Sequence, residues 1–93
     1  MARYLSLIRF TEQGARALKK SAARASTFRK AAERAGLAVE AQLWTAGSCD
    51  GVVILSGDEK KILRCLAQLV ALGNVRTETF QAFDAKEFKA IAG

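Results

Sequence analysis

An α+β fold is predicted for this chain, with elements in the order β-α-β-β-α-β and a short helix at the end. Three observations predict it. Apolar residues follow strand-like patterns in four separate stretches, and in two longer ones they recur every three or four residues, as along a helix. Glycines punctuate these stretches at Gly36, at Gly47 and Gly51, and at Gly73. A side chain able to cap a helix, Thr11, Asp58 or Asp84, precedes each helical region.

Residues 3–10 read as the first strand, with Leu5 and Leu7 on one face and Tyr4, Ile8 and Phe10 on the other. Thr11 offers the N-cap of the helix that follows, and Gly14 loosens its first turn. From Ala15 the period changes. Leu18, Ala22, Ala25, Phe28, Ala32 and Ala35 form one apolar stripe, Ser21 offers a restart after an irregular turn, and Gly36 ends the helix. Residues 38–45 alternate again, Val39, Ala41 and Leu43 against Glu40, Gln42 and Trp44. The turn Gly47–Gly51 then joins them as a hairpin to Val52–Leu55, a strand apolar on both faces. Asp58 caps a second helix over 58–72, packed through Ile62, Leu66, Leu69 and Val70, and Gly73-Asn74 stops it. Val75 to Phe83 reads as the fourth strand. Asp84, with Glu87 three residues on, resembles a capping box for a tail helix anchored by Phe88 and Ile91. This order is the split βαβ plan of the ferredoxin-like fold, in one domain spanning residues 1–93.

Composition removes several function classes. The 93 residues contain no histidine, which excludes Ser-His-Asp and Cys-His catalysis and His-ligated metals. Cys49 and Cys65 form no CxxC pair, and two cysteines are few for a secreted disulfide scaffold, so free thiols in a reducing, cytoplasmic setting are expected. No motif calls for a cofactor or a metal. The longest run without a charge, Cys65 to Val75, is far short of the roughly 20 residues that span a bilayer, so no membrane role is expected. The net charge of +6 sits in residues 1–36, where nine Lys/Arg face only Glu12 and Glu33. Alanines rather than aromatics interleave those charges, and the strands lack base-stacking aromatic motifs. The basic helix therefore reads as a solvated face, with no nucleic acid expected.

Apolar residues occupy both faces of the strands. Leu5 and Leu7 oppose Ile8 and Phe10, and Val52 and Ile54 oppose Val53 and Leu55. Two helices cover only one face of a four-stranded sheet. A second copy is the expected cover for the other, giving a homodimer or higher homo-oligomer in which two sheets pack face to face as a barrel.

Three blocks carry a family resemblance. Tyr4-Leu5-Ser6-Leu7-Ile8-Arg9-Phe10-Thr11-Glu12-Gln13-Gly14 resembles the opening of the GYD domain family. The turn from Trp44 to Val53 is similar to the family's naming motif, and Gly73 to Phe83 is similar to its C-terminal block. Gly47 and Asp50 match the motif Gly-x-Tyr-Asp, but Cys49 stands where the tyrosine would be. The resemblance implies a dimeric α+β barrel and carries no settled activity.

The candidate ligand-binding residues are Tyr4, Arg9, Trp44, Asp50, Arg76 and Glu78. Arg76 and Arg9 suit an anion, Trp44 and Tyr4 an apolar wall, and Asp50 a polar anchor or base at the hairpin. Each has a structural alternative. Asp50 before Gly51 is a common turn pair. Arg76 and Glu78, on one strand face, can form an ion-pair ladder with Arg9 and Glu40. Cys49 and Cys65 read as packing residues. The leading function is a small-molecule-binding homo-oligomeric barrel, with its cavity beside the hairpin turn and the ends of the first and fourth strands. The alternative is a cofactor-independent monooxygenase or isomerase acting on a small aromatic compound, with Asp50 as its base.

Overall fold

The computed structural model describes residues 1–93. Strand β1 (Ala2–Phe10) leads into a short helix α1 (Glu12–Arg16), a 3₁₀ turn (Leu18–Lys20) and the longer helix α2 (Ser21–Arg34). Strands β2 (Ala38–Trp44) and β3 (Gly51–Gly57) form a hairpin. Helix α3 (Glu59–Ala71), strand β4 (Val75–Gln81) and helix α4 (Ala85–Ala92) follow. The strands build one antiparallel sheet in the order β2-β3-β1-β4, the ferredoxin-like arrangement expected from the sequence. No helix is long and apolar enough to cross a membrane.

The caps act as their chemistry dictates. Thr11 Oγ1 accepts from the Gly14 amide at 3.2 Å, and Asp58 accepts from Lys61 N at 3.1 Å. Asp84 and Glu87 complete a reciprocal capping box at 2.8 and 2.9 Å. Gly36 and Gly73, at φ of 89° and 85°, provide the left-handed residues that follow α2 and α3. The irregular segment between α1 and α2 has its own device. Arg24 reaches back from α2 and donates to Ala17 O at 2.9 Å and Gly14 O at 3.4 Å, carbonyls the interrupted helix leaves without a full set of partners.

The register fixes which side chains share a face. Tyr4 opposes Leu55, Ser6 opposes Val53 and Ile8 opposes Gly51, all toward the helices. Val53 and Leu55 are each 1% exposed there, packed with Ala32, Leu37, Ile62 and Leu66. The buried Ser6 hydroxyl meets Thr79 Oγ1 at 2.6 Å, so this polar pair costs the core little.

Strand β2 departs from its simple alternation. A register shift between Val39 and Ala41 makes Glu40 an extra residue, a β-bulge. Val39 faces the core, but beyond the bulge Ala41 and Leu43 share the outer face with their partners Ile54 and Val52, and Leu43 is 60% exposed. Gln42 and Trp44 turn toward α2 instead.

The opposite, open face carries Leu5, Leu7, Val52, Ile54, Leu43 and Phe80, and no helix packs across it. Helix α4 is tied to the edge of this side where Arg3 bridges Glu40 at 3.2 Å and Glu87 at 2.8 Å. Phe88 and Ile91 do not anchor α4, as its sequence pattern suggests. They are 59% and 60% exposed, and no residue of the tail helix is buried. Leu18 and Val70, expected in the helical stripes, are also exposed, as is Leu63.

Candidate functional site

The three sequence blocks converge at one end of the sheet. The Asp50 carboxylate accepts from Phe10 N at 2.9 Å, while the Asp50 amide donates to Ile8 O at 2.8 Å. The Asp50 carboxylate therefore binds the end of β1, not the backbone of its own turn as the Asp-Gly pair alone implies, while the Asp50 carbonyl accepts from Thr45 N across the turn at 3.0 Å. Asn74 O accepts from Thr11 N at 3.1 Å, Thr11 Oγ1 donates to Gly73 O at 2.6 Å, and the Gln13 amide donates to Leu72 O and Asn74 Oδ1. Gly14 is required by this closeness rather than by helix loosening. A Cβ at that position would stand 2.0 Å from Asn74 O.

A small cleft of about 70 Å³, partly open to solvent, lies beside this junction on the helix side of the sheet. Ile8, Phe10, Val53, Phe28, Leu69 and Val75 give it mainly apolar walls. Polar groups enter at defined points. The Trp44 indole N–H donates to Ser21 Oγ at 2.9 Å, fixing the ring against the start of α2. The Gln42 amide donates to Ala25 O at 2.9 Å, which leaves its own carbonyl oxygen without a partner in the chain. Asp50 uses Oδ2 for the Phe10 amide and leaves Oδ1 uncommitted. The cleft thus combines a mainly apolar lining with free acceptor oxygens on Asp50 and Gln42.

Of the six candidate residues, only Trp44 and Asp50 line this cleft. Arg9, Arg76 and Glu78 gather on the opposite, open face. Arg9 pairs with Glu78 at 3.3 Å and donates from Nε to Ser48 O at 3.0 Å, tying β1 to the hairpin turn. Arg76 lies directly across from Arg9 and makes no ion pair within the chain. The expected ladder is therefore partial. Glu78 chooses Arg9, and Glu40, at the far end of the sheet, serves Arg3. Tyr4 stands apart from both groups. Its phenol donates to Glu59 on α3, and that bond to a carboxylate holds its pKa above the usual phenol value. Tyr4 here ties sheet to helix.

The sequence reading missed Arg24, Gln42 and Phe28 as cleft residues. Gln42 carries the one available signal, an amide between apolar neighbours in a strand. Arg24 is hidden among the other basic residues of α2, and Phe28 among its apolar stripe. Cys49 and Cys65 are both free thiols. Cys49 Sγ lies 3.4 Å from Thr45 Oγ1 within the turn, and Cys65 is half-buried on α3. No set of three or more acidic or thiol side chains is grouped to hold a metal ion.

The GYD domain model matches residues 4–92, nearly the whole chain, and the protein therefore belongs to the GYD domain family. No curated protein and no solved structure matches the chain.

Proposed function

We propose that this GYD domain is a small-molecule-binding module that works as a homodimer or a multiple of one, with the open faces of two sheets packed together as a barrel. The observation that carries the binding half is the cleft beside the hairpin. Its walls are mainly apolar, and Asp50 and Gln42, each with an oxygen uncommitted, both line it. Its ligand is a flat, mainly apolar organic molecule bearing a hydrogen-bond donor. The assembly half rests on the bare face. Only 13 of 93 residues are buried in the single chain, and Leu43 and Phe80 remain substantially exposed beside half-buried Leu5, Leu7 and Ile54. A second copy covers such a face at little conformational cost, because the strands are already ordered.

The cleft is tested with 2-naphthol, a flat aromatic donor. Trp44 is the only tryptophan, so its fluorescence reports the site directly. The expected result is a saturable change in that fluorescence, with amide shifts clustered at Phe10, Trp44 and Asp50, weakened by Asp50→Ala. Scattered shifts with no saturation would remove the cleft from consideration.

One observation favours a second reading, a cofactor-independent enzyme. Asp50 lines the cleft with one carboxylate oxygen unpaired, the position a general base requires. Deuterium exchange at the acidic carbon of a bound aromatic ketone, abolished by Asp50→Asn, separates this reading from simple binding.

A further inference from the structure

A second opening, distinct in character from the cleft, runs between α2 and α3. It is a groove of about 440 Å³, partly open to solvent. Phe28, Leu69 and Leu72 make it apolar, the small side chains of Ala23 and Ala31 keep it wide, and Cys65 lies along its α3 wall. Its charges are one-sided. Lys20 and Arg24 stand at the end where α2 begins, and no carboxylate lines it anywhere. Arg24, Phe28 and Leu69 are shared with the cleft and form the partition between the two spaces.

We propose that this groove binds an amphiphilic anion, a carboxylate with a long unbranched acyl chain. The head sits at Lys20 and the outer edge of Arg24, and the chain lies over Phe28, Leu69 and Cys65 toward Ala31. The chemistry favours this occupant on three grounds. The cationic pair at one end matches a single anionic head. Beyond that pair the groove carries no charge, and only Thr27, Gln68 and Asn74 interrupt an apolar lining that a hydrocarbon chain can cover. From Lys20, at the end of the 3₁₀ turn, to Ala31 on α2 the run is about 16 Å at the helical rise, enough to accommodate such a chain. The cleft suits the same head less well, since it sets the Asp50 carboxylate against the shared Arg24 and has no second cation. The groove site stands independently of the aromatic ligand proposed above.

The probe is sodium dodecanoate below its micelle concentration, and the readout is the labelling rate of Cys65 by a bulky thiol reagent, with Cys49 as internal reference. At a concentration about ten times its dissociation constant, dodecanoate is expected to slow Cys65 labelling about tenfold and to leave Cys49 unchanged. Lys20→Glu, at an exposed position, should weaken that protection about tenfold by reversing the charge at the head. Ala31→Phe, also exposed, should abolish it by filling the far end of the groove. Dodecyltrimethylammonium, with the same chain and the opposite charge, should protect far less. The proposal is overturned if dodecanoate leaves Cys65 unprotected, if the cationic amphiphile protects equally, or if both variants keep full protection. A response of Trp44 to dodecanoate with Cys65 still reactive would place the chain in the cleft instead, sinking the groove site while leaving the cleft reading intact. An acidic helical peptide that protects Cys65 where dodecanoate fails would likewise overturn it in favour of a protein partner.

Discussion

The two faces of the sheet are made from the same kinds of residues and meet different surroundings. Along β3, Val53 and Leu55 are each 1% exposed beneath the helices, while Val52 and Ile54, alternating with them, are only half-buried. Polar groups divide in the same way. On the helix side, Ser6 is paired with Thr79, and Gln42 donates to α2. On the open side, Arg76 faces Arg9 with no ion pair of its own. Apolar residues pattern both faces. Which face this chain buries by itself is decided by the helices, whose crossover connections all lie on one side.

Leu55 and Leu7 distinguish the two faces most strongly. Leu55→Asp places an unpaired charge in the core, at a cost above about 3 kcal/mol, which removes much of the stability available to a domain of this size. Circular dichroism should show loss of helix. Leu7→Asp sits on the open face, so dilute protein should keep its helical spectrum while its mass falls to that of a single chain. Equal unfolding by both changes would erase the distinction between the faces.

Gly14→Ala tests the junction that joins the end of β1 to the start of β4. Its Cβ would force Asn74 O aside, with an expected loss of about 2 kcal/mol in chemical denaturation. Asp50→Ala leaves the Phe10 amide without its acceptor and should cost about 1.5 kcal/mol. Asp50→Asn, which retains an acceptor oxygen, should recover most of that.

The order of elements, the caps at Thr11, Asp58 and Asp84, and the two-sided apolarity of β1 and β3 are all legible in the sequence, because each rests on local periodicity or one capping side chain. The bulge at Glu40 is not. It moves Leu43 to the open face by inserting one residue into an alternation that otherwise reads normally. Half of the candidate site is illegible for a related reason. Alternation places Arg9, Arg76 and Glu78 on one face, but only the register reveals that Trp44 and Asp50 serve the opposite side. The exposed Phe88 and Ile91 show a further limit, since an amphipathic helix announces that it will be covered and does not say by which chain.

Arg76→Ala sharpens the comparison by its small effect. Arg76 has no ion pair within the chain and faces a like charge, so in isolated chains its removal should change stability by less than about 0.5 kcal/mol. A clear fall in melting temperature confined to the assembled protein would mark Arg76 as a contact between copies.

The smallest expected effect is local and depends on pH. The Asp84 amide first, and Arg3 second, hold the Glu87 carboxyl below its usual pKa. A depressed carboxyl stabilises the fold fully above its unfolded pKa, and that contribution fades as the pH falls through the folded value. Acidification should therefore release α4 from Arg3 before the sheet is disturbed. Amide exchange should rise across Lys86–Ala92 while that of β1 and β3 stays slow. An α4 that remains protected in acid would show that something other than the Arg3–Glu87 contact holds it.

The open face is the central claim, and its most direct test is the mass of the untagged protein at micromolar concentration by sedimentation velocity. A face built for burial and left bare by its own helices predicts a particle of twice 10.0 kDa or a multiple of that pair, dissociated by Leu7→Asp. A single monodisperse 10.0 kDa species would contradict it.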